Sequence, residues 1–217
     1  MASTPSRSLI DLILIERGVY VRVLDLDYQA EQFEVFHTWA STRWIHYLGT
    51  QLIVGAFLVA GWNVSLGGVA LAPVLMGLLG AWYVAMHRTV GLVASAQVLV
   101  LGVASFFAAR AGVTATHAIV TLGLAALAQN LSHSVEPVPP MLTGRHFEPF
   151  PVFWRQAPWR ERVRLLALNT LYAPLELVSA PRLFAVHVLR AMHRLGFAPG
   201  WASDVRTRAA RILEGER

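Results

Sequence analysis

Histidines are the side chains in this sequence whose type and spacing favour chemistry. Four of the eight, His37, His46, His87 and His133, stand near the ends of long uncharged segments. Glu136 follows His133 by three residues, which allows both to share one face of a helix. Neutral imidazole rings with a carboxylate suit a borderline metal such as Fe(II) and leave coordination positions open for oxygen and substrate. The sequence has no cysteine, so thiolate metal sites, disulfide frameworks and cysteine nucleophiles are excluded.

Each of these residues also has an ordinary structural interpretation. Histidine near a membrane surface commonly caps a helix or bonds a lipid headgroup, and for any single histidine here this is the more frequent role. Glu136 at a helix end would in the same way pair with Arg43 or Arg145. His117 is expected at the opposite end of the helices, and two further histidines belong to a late amphipathic segment.

The spacing of His37 and His46 decides whether they can act together. Nine residues along one continuous helix rotate a side chain by about 180°, so the two rings would point apart. Ser41 or Thr42 is a suitable helix N-cap. A helix that starts there leaves His37 in a separate preceding segment, and the two rings can then share one site.

The composition indicates an integral membrane protein. Of the 217 residues, 55% are hydrophobic and 14% are charged, against about one quarter charged in a soluble domain. No aspartate or glutamate occurs between Glu34 and Glu136, and only three arginines interrupt that segment. About 100 nearly uncharged residues are too apolar for disorder and too long for one buried helix.

The uncharged segment is long enough for four membrane spans of roughly 20 residues each. Turn residues and isolated charges divide it near residues 61–68, 87–89 and 110–112. We therefore predict four transmembrane helices at residues 44–62, 66–86, 90–109 and 113–131.

The remaining segments predict an all-α, polytopic membrane bundle with one or two further amphipathic helices. We divide the chain into an N-terminal cytoplasmic segment (1–43), the bundle (44–135), a proline-rich connection (136–162) and a C-terminal part (163–217). In the last part, residues 163–180 and 182–197 each combine apolar and charged residues. Such segments are typical of interfacial or re-entrant helices, and the charged tail after them is expected in water.

Arginine alone supplies the 18 basic residues and the net charge of +5. These charges flank the apolar segments at both ends rather than forming one face with interleaved aromatics, so a nucleic-acid partner is not expected. Four crossings place Arg43 and Arg88 on the side of both termini, and leave only Arg110 on the other side. The positive-inside rule then predicts that both termini are cytoplasmic, in a bacterial inner membrane or an ER-like membrane.

Three ordered segments resemble a known family. Phe36-His37 is followed after eight residues by Ile45-His46-Tyr47 and at once by an apolar span. This pattern resembles the small membrane-bound 2-hydroxy fatty acid dioxygenases of fungal phytosphingosine degradation. Residues 129–136, Gln-Asn-Leu-Ser-His-Ser-Val-Glu, and then 140–142, Pro-Met-Leu, are similar to the family's Gln-Phe-x-Gly-His-x-x-x-Glu segment and its Pro-Ala-Leu. Residues 171–176 are similar to its late Leu-Ala-Pro run, and the matches extend over roughly residues 33 to 180.

The resemblance implies an Fe(II)-dependent enzyme that uses O₂ to cleave a 2-hydroxy fatty acid to the acid one carbon shorter. It implies His37, His46 and His133 as metal ligands, with Glu136 as a further ligand or a residue that orients one. Arg43, Arg88 and Arg145 at the same membrane face are then candidates to bind the fatty acid carboxylate, with the acyl chain among the spans. The alternative is a non-catalytic membrane protein that binds or packs lipid and whose histidines are only interfacial.

The arginine asymmetry makes a topological prediction. Reporter fusions after residues 64 and 111 are expected to read as non-cytoplasmic, and fusions after residues 88 and 217 as cytoplasmic. Paired reporters, each active on one side of the membrane only, measure this directly. A cytoplasmic signal after residue 64 would rule out the four-span arrangement.

Overall fold

The computed structural model describes residues 30, 33, 34, 37–132 and 155–197. Most of these residues are helical. The elements, in chain order, are α1 (Ala40–Asn63), β1 (Ser65–Leu66), β2 (Val69–Ala70), α2 (Leu71–Met86), α3 (Arg88–Arg110), α4 (Ala115–Ser132) and α5 (Trp159–Arg194). The predicted segments 1–43 and 136–162 lie largely outside the described residues.

Helices α1 to α4 alternate in direction. Thr42 at the start of α1 donates to the carbonyl of Ser132 at the end of α4, 3.3 Å away. Asn63 at the end of α1 donates to the carbonyl of Val113, just before α4, at 3.1 Å. The starts of α1 and α3 and the ends of α2 and α4 therefore lie at one end of the bundle, which we call the histidine end.

Two of these helices, α1 and α3, are long and apolar enough to cross a membrane, with 24 and 23 residues. Helix α2 and residues 115–129 of α4 are apolar but shorter. The described residues thus contain four apolar helices, whose bounds agree with three of the four predicted spans to within a few residues.

The second span differs from its prediction because part of it forms a hairpin. Strands β1 and β2 pair antiparallel, with Ser65 opposite Ala70. Gly67 and Gly68 join them with φ angles of 60° and 84°, a left-handed conformation that glycine adopts without steric cost. Helix α2 consequently begins at Leu71 and has 16 residues, which corresponds to about 24 Å of length.

The start of α1 also differs from the prediction. Ser41 or Thr42 was expected to cap the helix, but the N-cap residue is Trp39, with φ −82° and ψ 139° and no side-chain capping hydrogen bond. The Thr42 hydroxyl is instead used to bind α4. The predicted consequence still follows, because His37 precedes the helix and His46 lies within it.

Helix α5 is one continuous helix of 36 residues, so the one or two helices predicted over residues 163–197 are one, without the expected break near residue 181. Pro174 and Pro181 both lie inside it, although each removes a backbone donor and disfavours the preceding turn. Burial of its C-terminal half against the bundle offsets this cost. Ala185 and Val186 are fully buried there, in one apolar cluster with residues of α1, α2 and α3.

Close backbone contact joins α2 to α3. His87 alone separates them, and its ring nitrogen Nδ1 accepts the Val90 amide at 3.2 Å as the N-cap of α3. A Cβ placed on Gly91 would lie 2.2 Å from the carbonyl oxygen of Tyr83. Glycine is thus required at position 91.

Replacing Gly91 with alanine is expected to lower stability by about 1–3 kcal/mol, because a methyl group would push α3 away from the α2 backbone. The matched control is Gly77→Ala, at a helical glycine where an added Cβ meets nothing within 4 Å. That change should leave stability unchanged or raise it by up to about 1 kcal/mol. Thermal unfolding of both variants in detergent measures the difference, and equal effects would contradict the close contact.

Candidate functional site

His37 and His46 lie in contact at the histidine end. Their ring centroids are 4.2 Å apart with an interplanar angle of 78°, an edge-on arrangement. The extended backbone of Trp39 takes the chain out of the helix before Ala40. The preceding segment therefore returns alongside the first turns of α1, and two histidines nine residues apart share one site.

The hydrogen bond of His37 fixes which ring nitrogen carries the proton. Its Nδ1 lies 2.7 Å from the carbonyl oxygen of Phe33, and because a carbonyl can only accept, Nδ1 must be the donor. The Phe33 ring also stacks on the His37 ring at 4.0 Å. A neutral His37 then has its lone pair on Nε2, which is buried. A metal-binding histidine commonly donates its other nitrogen in this way.

His46 is held by the end of α4. The Gln129 side chain donates to the His46 carbonyl at 3.4 Å, and its aliphatic part fills the space over Gly49, where a Cβ would come within 2.8 Å of Gln129 Cγ. Nε2 of His46 is buried, as it is in His37. Together with the bond from Thr42 to Ser132, these contacts fix the last turn of α4 against the turn that carries His46.

The other residues implied for the metal lie beyond that turn. His133 follows Ser132 directly in the sequence, and His133, Glu136 and Arg145 all lie outside the described residues. Among the side chains that the structure describes, no group of three or more histidine, aspartate or glutamate residues is placed to hold a metal ion. Of the residues implied as metal ligands, the structure therefore describes the imidazole pair of His37 and His46.

The predicted carboxylate-binding arginines have different surroundings. Arg43 donates through Nε to the carbonyl of His37, and its NH2 lies 3.1 Å from Oε2 of Glu34. Arg88 is exposed at the first position of α3, at the same end of the bundle. Arg43 thus supports the backbone of a site residue, whereas Arg88 faces outward.

A buried charged cluster beside the imidazoles was not predicted from the sequence. The side chain of Glu34 is only 3% exposed and forms ion pairs with Arg43 and with Arg190 of α5. Nδ1 of His187 lies 3.9 Å from Oε1 of the same carboxylate. The only sequence signals were that Glu34 is the last acidic residue before the uncharged segment, and that His187 and Arg190 are spaced to share a helix face.

Aromatic rings enclose His187. Its ring centroid is 5.0 Å from both Phe33 and Tyr47, and Tyr47 also contacts Phe184 of α5. Phe33 therefore lies against both His37 and His187. The late helix supplies one wall of the site, a role that the sequence did not indicate.

Two other histidines accept backbone amides at helix starts. His87 caps α3 at the histidine end. His117 lies at the opposite end, as expected, where its Nδ1 accepts the backbone amide of Thr114 at 3.2 Å. The ordinary interpretation of interfacial histidines therefore describes these two, whereas His37 and His46 contact each other.

Comparison of the chain with protein-family models, with curated proteins and with solved structures finds no match. Its function is therefore inferred from its own residues.

Metal content tests the imidazole pair. His37→Ala and His46→Ala are each expected to remove bound iron, because each deletes one of the few donors at the site, and His133→Ala is expected to do the same. His117→Ala, at the other end of the bundle, should leave the iron in place. The measurement is the iron content of protein purified in detergent under anaerobic conditions. Equal loss in the His117 variant would contradict a site at the histidine end.

Proposed function

We propose that the chain is an integral membrane protein whose helices α1 to α4 each cross the bilayer. Of the 18 most apolar consecutive residues in each helix, only 44% are buried within the protein in α1 and 33% in α3. The core helix of a soluble protein is mostly buried. A single residue joins α2 to α3, so the shorter helix accompanies its neighbour across the membrane. Sixteen residues suffice if the bilayer thins locally or flanking residues extend to its surface.

The distribution of polar and apolar side chains supports this proposal. The outward faces of all four helices expose large apolar side chains, among them Leu48, Leu52, Val74, Leu78, Leu99, Val103, Ile119 and Leu124. Hydrogen bonds lie between the helices instead. Gln97 donates to Gln51 at 2.7 Å, and Ser105 donates to the carbonyl of Gly55 at 3.2 Å. Such bonds between helices satisfy polar groups that lipid cannot.

We further propose that the histidine end faces the cytoplasm and holds the active site of an Fe(II)-dependent dioxygenase. The observation that carries this is the contact between His37 and His46, with His37 held in the tautomer that presents Nε2. His133 would supply a third imidazole, since it is bonded to Ser132 at the turn fixed beside His46. Glu136 would be a further ligand or would orient one.

Bound Fe(II) would supply the open coordination positions that O₂ and a chelating substrate require. The protein would supply the orientation of the donors: the Phe33 carbonyl holds the proton on His37 Nδ1, and Gln129 holds the turn of His46. A 2-hydroxy fatty acid and O₂ would be converted to the acid one carbon shorter, CO₂ and water, and this equation balances in atoms and electrons. The reaction thus needs no separate reductant.

The shape of the substrate fits this location. A long acyl chain can remain among the apolar helices while its polar head reaches the histidine end, where the pair of imidazoles and Arg43 lie together. Arg88 is exposed at that end and is a candidate to bind the carboxylate, as are Arg43 and Arg145. The 2-hydroxyl group supplies the second oxygen for chelation.

The alternative function is a non-catalytic lipid-binding or lipid-packing protein. One observation favours it: His87 caps a helix and His117 accepts a backbone amide at the start of another, which is the ordinary role of histidine at a membrane surface. In that case the contact between His37 and His46 would serve packing only. Oxygen consumption distinguishes the two functions.

Membrane fractions that contain the protein and are loaded with iron are expected to consume O₂ with a long-chain 2-hydroxy acid and to release the acid one carbon shorter. The unsubstituted fatty acid of the same length should be inert, because it lacks the second chelating oxygen. An oxygen electrode and mass spectrometry of the extracted acids provide the measurement.

The matched protein controls are His46→Ala, which should reduce uptake to background, and His117→Ala, which should not. No uptake with any 2-hydroxy acid, from short to very long chains, in protein shown to contain iron would exclude the dioxygenase and leave the lipid-packing alternative.

A further inference from the structure

Glu34 lies where three parts of the chain meet. Its carboxylate binds Arg43 of α1 through Oε2 and Arg190 of α5 through Oε1, and residues 34 and 190 are 156 positions apart. Burial of a carboxylate is costly unless partners compensate it. Two guanidinium groups, one on each oxygen, supply that compensation here.

Glu34 is connected to His37 by two routes. Arg43, whose NH2 binds the Glu34 carboxylate, donates through Nε to the His37 carbonyl. The carbonyl of Phe33, the residue bonded to Glu34, accepts a hydrogen bond from His37 Nδ1, and the Phe33 ring stacks on the His37 ring. The His37 backbone is thus bonded to an arginine that the carboxylate binds, and the His37 ring is bonded to and stacked on the residue next to Glu34.

Glu34 also connects α5 to the imidazole pair. Arg190 is 8% exposed, and one turn before it His187 places Nδ1 at 3.9 Å from the same carboxylate. His187 in turn contacts Phe33 and Tyr47. Without the negative charge, two guanidinium groups would face each other across a largely dehydrated space, where like charges repel strongly.

We propose that Glu34 is a positioning residue of the metal site: its negative charge, shared between Arg43 and Arg190, fixes His37 against His46 and holds α5 against Phe33 and Tyr47. This rests on the proposed metal-binding function and adds a residue to it. Both oxygens of the Glu34 carboxylate are engaged by guanidinium groups, so in this proposal Glu34 is not a metal ligand. It acts through His37.

The test compares full-length wild-type protein with Glu34→Gln, which keeps the shape of the side chain and removes its charge, and with Glu34→Asp, which keeps the charge. The control is Arg194→Gln, which removes a charge at an exposed position of the same helix. Each protein is titrated with Co(II) alone, whose visible absorption reports the ligands around the metal. Circular dichroism and thermal unfolding check that each variant is folded.

Wild type and Arg194→Gln are expected to bind Co(II) alike. Glu34→Gln should bind about 10- to 100-fold more weakly, as is typical when a residue that orients a ligand is lost, and with an altered absorption band. Glu34→Asp should recover part of the affinity. Unchanged affinity and spectrum in folded Glu34→Gln would overturn the positioning role while leaving the metal site intact.

A second measurement needs no metal, so that failure of the metal site and failure of the inference can be told apart. In metal-free protein labelled with ¹⁵N-histidine, the ring nitrogens of His37, assigned with His37→Ala, should report a proton on Nδ1. Glu34→Gln, or Arg190→Gln if the first variant does not fold, should shift His37 to a mixture of tautomers. An unchanged His37 signal would overturn the inference whether or not wild type binds Co(II). Wild type that binds no Co(II) would overturn the metal site alone.

Discussion

The histidine end depends on one change of backbone conformation, the extended residue Trp39 immediately before α1. Because the chain leaves the helix there, His37 returns alongside the first turns and its ring meets His46. Because the helix begins before Thr42, the Thr42 hydroxyl does not cap it. The hydroxyl donates to the carbonyl of Ser132 instead. The non-helical residues 37–39 thus allow both the imidazole pair and the contact of α1 with α4.

Close packing of the helices gives this end a rigid support. Because His87 alone connects α2 to α3, the two helices lie almost in backbone contact. Gly91 has no side chain and therefore fits against the Tyr83 carbonyl. On the other side of α1, Gln129 occupies the space that Gly49 leaves open. Small residues therefore bring the helices together, and the polar side chains that enter these gaps find hydrogen-bond partners on the neighbouring helix.

The sequence predicted what local rules determine. Charges and turn residues gave the helix ends near residues 63, 87 and 110, and the spacing of His37 and His46 gave the condition under which they meet. The hairpin at residues 65–70 was not predicted, because strands of only two residues are too short to show a pattern that differs from the start of a helix. The continuity of α5 was not predicted, because Pro174 and Pro181 disfavour a helix locally and only packing against the bundle offsets that effect. The ion pair of Glu34 with Arg190 was not predicted, because a contact between residues far apart in the chain leaves no periodic pattern in the sequence.

The charged cluster is more informative about function than about stability. A buried ion pair contributes little net stability, and apolar residues of the same volume often stabilise a fold as well or better. A bundle as apolar as this one has ample apolar residues available, yet here a carboxylate with two guanidinium groups lies beside two imidazoles. Such a cluster forms directional bonds, which apolar packing does not. These bonds hold a backbone carbonyl, a ring plane and a proton in fixed positions. Orientation of that kind is what a metal site requires of the residues around its ligands.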